Sequence, residues 1–201
     1  MKLSAIWSLL KQRKRVAVHR GEDTQWVGDG YASYPIYSLP DLNEESIRIL
    51  LDIKEDVWDK FTCGFYHNIP FSEDDNNLCD KGLQPLGISI FFRGKSLLPL
   101  TDGQTLYYIE EKYLKPFNDF SPLFSYRPHE GFGEGIILLK EGMLLRGVVA
   151  PYYPTYLEGQ ELLEVLRKVY FRTDTMLKEH IKPEQADNAD EQLSFDEEDE
   201  E

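Results

Sequence analysis

Residues 15–37 read RVAVHRGEDTQWVGDGYASYPIY. Three apolar or aromatic runs, RVAVH, TQWV and YASYPIY, are separated by Gly21-Glu22-Asp23 and Gly28-Asp29-Gly30. Short alternating runs rich in β-branched and aromatic residues predict strands, and glycines around an aspartate permit the positive φ of a tight turn. The segment is read as three consecutive strands. Pro35 has no N–H to give a ladder, which predicts an edge position or a bulge for the third strand.

The pattern repeats further along. Strands are predicted at 87–92 (GISIFF), 96–100, 105–109 (TLYYI), 123–127 (LFSYR), 136–140 and 143–150, with turns at Arg93-Gly94-Lys95, Asp102-Gly103 and Glu141-Gly142. Residues 60–71 look extended, 72–83 read as an exposed polar loop, and 129–135 as a glycine-rich turn. Helices are expected at 4–13 with Ser4 as N-cap, at 44–53 with Asn43 as N-cap, and at 110–117, stopped near Pro116. In residues 157–181, Leu162, Val165, Leu166, Val169, Tyr170, Thr173, Met176 and Leu177 recur at helical spacing. That predicts one long amphipathic helix, either packed on the sheet or offering a partner-binding face.

Charge divides the chain. The net charge is −14, and the last nineteen residues hold ten acids with no Lys or Arg, so residues 1–182 carry −4. Such a segment buries too little apolar surface to offset its ordering entropy, which predicts a disordered tail. The expected class is α+β: antiparallel β-sheets with two short helices in residues 1–152, the amphipathic helix in 153–182, and the acidic tail in 183–201. No run of 18 apolar residues and no leader pattern occur, so the expected setting is cytoplasmic, with no membrane partner.

The motifs of common chemistries are missing. GFGEG at 131–135 lacks the Lys-Ser/Thr of a phosphate loop and precedes an apolar strand instead of a helix. HExxH and GxSxG do not occur. Cys63 and His67 have no companion ligands at zinc spacing. Cys63, His67 and His129 are the candidates for an enzyme site scattered along the sequence, but no orienting group or oxyanion site accompanies them. The expectation is a non-enzyme with no cofactor, no metal and no catalytic residues. Lys11, Arg13, Lys14 and Arg15, with Arg20 beyond, form a basic cluster. Cations at a helix C-terminus explain it most simply; phosphate contact is the alternative, which makes the first four the candidate nucleic-acid contacts.

Three stretches of residues 4–152 resemble one domain of the bacterial DNA polymerase sliding clamp (beta subunit). TQWVGDGYASYPI (24–36) resembles the clamp's strand, Asp-Gly turn and strand, with Asp29, Gly30 and Tyr31 at the turn. YIEEKYLKPF (108–117) resembles the strand leading into the domain's second helix, with Tyr113 and Leu114 at its Tyr-Leu pair. LLRGVVAPY (144–152) resembles the closing strand, with Val149-Ala150-Pro151 at its Met-Pro-Val-type motif. The sequence also resembles phage and mobile-genetic-element proteins of Firmicutes.

The resemblance implies two short helices on one side of a curved sheet, and a hexamer if one-domain chains built a six-domain ring. The helices at 44–53 and 110–117 supply few cations (Arg48 and Lys54; Lys112 and Lys115 against Glu110 and Glu111), so DNA is a weak expectation. Gln192-Leu193-Ser194-Phe195 resembles the peptide that polymerases and repair proteins insert into a clamp's pocket, which makes Gln192, Leu193 and Phe195 candidate protein-binding residues. The implied function is a mobile-element accessory protein that binds a replication clamp or polymerase. The alternative is an acidic, anti-CRISPR-like inhibitor of a nucleic-acid-binding host defence protein, its carboxylates occupying a groove built for phosphates.

Overall fold

The computed structural model describes residues 1–21, 24–73, 79–117, 119–129 and 135–180, with side chains through residue 168. The chain divides into two compact units, Met1–Tyr153 and Pro154–Glu201. Among the described residues the class is α+β, with a large sheet and few short helices. None of the described helices is long and apolar enough to cross a membrane.

The first unit opens with helix α1 (Leu3–Arg13), whose Ile6, Leu9 and Leu10 are buried. Its N-cap is Lys2, without a side-chain hydrogen bond, and not the expected Ser4. The decisive segment folds as strands β1 (Arg15–Arg20), β2 (Gln25–Gly28) and β3 (Ala32–Ile36), paired antiparallel in sequence order. Helices α2 (Glu44–Leu50) and α3 (Glu55–Trp58) follow in place of one helix to residue 53. The left-handed backbone of Asp52 (φ 47°) breaks the run. Asn43 is the N-cap of α2, and with Ser46 it forms a reciprocal capping box.

Strand β4 (Thr62–Tyr66) pairs parallel with β1, so the sheet is mixed, not purely antiparallel as expected. β5 (Lys81–Pro85) begins inside the stretch expected to be loop. β6 (Ile90–Phe92) and β7 (Lys95–Thr101) form a hairpin through Arg93 (φ 47°) and Gly94 (φ 76°). β8 (Leu106–Glu110) leads into a 3-10 helix, Glu111–Phe117, which contains Pro116. β9 (Leu123–Pro128), β10 (Gly135–Glu141) and β11 (Leu144–Val149) complete the unit.

The sheet runs β4-β1-β2-β3-β11-β10-β9-β5-β7-β6, with β8 on the other side of β7. β3 is therefore internal, and its register with β2 runs through Pro35 without a shift, so neither the edge position nor the bulge expected from Pro35 occurs. β11 pairs with β3 only at Ala32 and Ser33, so the proline falls where that ladder has ended. The Tyr152 amide donates to the Tyr108 carbonyl at 2.7 Å, which ties β8 to the chain leaving β11.

Two apolar clusters cover opposite faces. The larger joins α1, α2 and the 3-10 helix to the sheet through residues such as Ile6, Ile47, Leu51, Tyr113 and Phe117. The smaller packs Trp26, Phe71, Ile136, Leu138, Leu145 and Val148. Strands β3 and β10 are buried nearly end to end, as strands covered on both faces must be. Among the described residues the second unit contributes one helix, α4 (Tyr156–His180).

Candidate polyanion-binding cleft

Helix α1 packs along the 3-10 helix, and the Lys2 amide donates to the Pro116 carbonyl at 2.8 Å. The pair lying side by side is therefore α1 with the 3-10 helix, whereas the resemblance was read onto the helices at 44–53 and 110–117. Beside this pair lies an open cleft of about 660 Å³, lined by Gln12, Arg13, Arg93, Gly94, Lys95, Ser96, Glu110, Glu111, Lys112 and Lys115. Five cations from three elements face two carboxylates there, in a unit whose overall charge is negative.

Glu110 organises the floor. It is 9% exposed at the end of an apolar strand, beside Ile109. Its carboxylate accepts from Lys95 Nζ at 3.1 Å and from Lys112 Nζ, and stands 3.6 Å from Arg13 Nη2. Burial pushes its pKa up, but Lys112 and Lys95 more than offset this, and the carboxyl titrates below its ordinary range. Glu111 is held by Ser89 and by Ser96 Oγ at 2.5 Å, which ties the 3-10 helix to the β6–β7 hairpin.

Arg13 bridges this floor to the β2–β3 turn. Its guanidinium donates to the Tyr113 hydroxyl at 3.3 Å and lies 3.6 Å from Asp29 Oδ2. Asp29 is 2% exposed and accepts from the Tyr31 and Ala32 amides, both at 2.9 Å, and from the Tyr113 hydroxyl at 3.1 Å. Burial and the nearby Asp29 carboxylate push the Tyr113 pKa well up, so its hydroxyl stays protonated as a donor. Gly30 takes φ 89° in this turn. At Gly28 a Cβ would meet the Ala32 carbonyl oxygen at 2.0 Å, so close backbone approach requires that glycine.

Of the four expected nucleic-acid contacts, only Arg13 lines the cleft. Arg15 leaves along β1 and reaches the turn, where a Cβ on Gly30 would stand 3.1 Å from its Cζ. Lys14 takes the left-handed C-cap of α1 (φ 53°), accepting the Thr62 amide on its carbonyl; Lys11 is exposed in the last turn of α1. Arg93, Lys95, Lys112 and Lys115 complete the cation set, and sequence reading did not gather them. The tail residues Gln192, Leu193 and Phe195 lie outside the described residues.

Of the scattered enzyme candidates, His67 and His129 share one concavity, whose lining does not include Cys63. Cys63 packs against the larger core, and burial with the Glu44 carboxylate raises its thiol to about 11, so it is a thiol, not a thiolate, at neutral pH. His67 and His129 line an open concavity with His19 on another part of the surface. His19 Nδ1 faces the Asn68 carbonyl at 3.2 Å and His129 Nε2 faces the Pro70 carbonyl. Burial lowers the His19 pKa, so that ring is neutral at pH 7. Among the described residues no three His, Cys, Asp or Glu side chains are grouped to hold a metal.

Comparison with protein-family models, with curated proteins and with solved structures finds no match.

Proposed function

We propose that this is a non-enzymatic binding protein whose cleft holds a nucleic-acid phosphate backbone, in the replication setting implied by its resemblance to one sliding-clamp domain. The observation that carries the reading is the gathering of Arg13, Arg93, Lys95, Lys112 and Lys115 in one cleft of a chain that is otherwise acidic. Phosphate contact by such a set releases counterions and supplies most sequence-independent affinity. Glu110 pairs with Lys95, Lys112 and Arg13, and with Glu111 it offsets two of the five positive charges, leaving the lining at +3. The acidic-inhibitor reading rests on residues 183–201, which lie outside the described residues.

The test is fluorescence anisotropy of the full chain with labelled oligonucleotides at 50–200 mM NaCl. Binding through about five contacts gives a log–log salt slope of roughly −3.5 to −4.5. Lys112→Glu with Lys115→Glu lowers affinity at least about tenfold and flattens the slope by roughly one to two. Salt-independent binding, or none at 50 mM, overturns the proposal.

A further inference from the structure

Two aromatic rings adjoin the cleft's cations. Tyr31 is 53% exposed, and the Arg13 guanidinium carbon lies 5.0 Å from its ring centroid. Tyr152 carries Lys95 Nζ at 4.3 Å from its centroid. Arg13 and Lys95 both pair with Glu110, so the order through space is Tyr31, Arg13, Glu110, Lys95, Tyr152.

The Tyr31 backbone is fixed on both sides. Asp29 accepts its amide, and its carbonyl accepts the Ala150 amide at 2.7 Å. A large ring left half in water, on a residue whose amide and carbonyl are both hydrogen-bonded, keeps apolar surface exposed beside the Arg13 guanidinium in the free protein. Its face is already presented, so stacking a planar partner on it costs little ordering entropy.

We infer that the cleft takes a single strand of DNA or RNA, with Tyr31 as a base-stacking platform and the cations on the phosphates. The inference rests on the polyanion-binding reading of the same cleft. Single strands expose base faces to aromatic side chains beside a cationic track, whereas a duplex keeps those faces within its own stack. Tyr31 is useful to the first ligand and idle toward the second.

The experiment compares labelled dT15 with a 15-base-pair duplex, by anisotropy at 100 mM NaCl, for the wild-type full chain, Tyr31→Ala and Tyr31→Phe. Thermal melting checks that each variant is folded. The wild type binds dT15 about tenfold or more tightly than the duplex. Tyr31→Ala weakens dT15 binding on the order of 5- to 100-fold, the range of one lost base stack, and leaves duplex affinity within twofold. Tyr31→Phe keeps the ring and stays within about threefold of wild type. Equal or tighter duplex binding, or an unchanged Tyr31→Ala affinity for dT15, overturns the inference while leaving the salt-dependent cleft reading in place. Loss of all salt-dependent binding removes both.

Discussion

Replacing Asp80 by alanine destabilises the first unit by about 3–5 kcal/mol, the cost of removing one partner from a buried ion pair. Asp80 immediately precedes β5, and its side chain is 9% exposed. Its two oxygens accept from Arg127 on β9, Nε at 2.6 Å and Nη2 at 2.8 Å, and Lys140 Nζ on β10 lies 3.3 Å away. Arg127 is 3% and Lys140 9% exposed, so solvent screens neither well. The carboxylate therefore locks β5 across β9 and β10. With a urea slope of roughly 2 kcal/mol/M, the midpoint falls by about 1.5–2.5 M at pH 7. Burial pushes the Asp80 pKa up, but Arg127 and Lys140 win and hold it below its ordinary value of 3.8. The folded state favours the ionised form, so this stability is present above pH 3.8 and is lost as pH falls through the depressed value. The gap between wild type and Asp80→Ala stays constant from pH 7 to 5 and narrows at lower pH. A midpoint shift under about 0.5 M with unchanged slope, as for a surface pair, would refute the assignment.

Asn43→Ala removes one half of the α2 capping box and costs about 1 kcal/mol in urea titration; Asn43→Gly recovers most of that loss. Cys63, its thiol raised to about 11, resists iodoacetamide at pH 7.5 in the folded chain, while the exposed Cys79 is alkylated. Peptide mapping after brief labelling reads both sites, and equal modification contradicts the burial of Cys63.

Most strands were legible because they are short, apolar and bounded by turn residues. RVAVH and TQWV keep their predicted places to within a residue or two. β5 was missed because KGLQP has only Leu83 buried; its strand form comes from neighbours on β9 and β7, not from its own residues. The parallel β1–β4 pair was hidden for the same reason, since register between residues 15–19 and 62–66 leaves no local trace. At residues 111–117 the helix was foreseen but not its tight 3-10 form, although Pro116 inside it disfavours an α-helical ladder.

The cleft was legible only at Arg13. Its other cations lie some eighty to a hundred residues further on and converge through the β6–β7 turn and the 3-10 helix. Glu110 and Glu111 were read as cancelling Lys112 and Lys115. The available signal was position: Glu110 continues the strand LYYIE without a break, so it enters the fold with Ile109 and meets the lysines from beneath. The offset of Lys112 by Glu110 is present as an ion pair, and what local charge counting did not supply is that the same carboxylate also reaches Lys95 and Arg13.

The order of the sheet bears on how the protein is made. β3 finds its second partner only in β11, more than a hundred residues downstream, and β1 completes its pairing only when β4 arrives. A nascent chain leaving the ribosome must hold Val16, Val27 and Tyr34 unsheltered until almost the whole first unit has emerged. Closing such distant pairs is slow, on the order of milliseconds to seconds, and the waiting edges are open to wrong neighbours. Chaperone demand during synthesis therefore peaks before residue 144 appears and ends soon after.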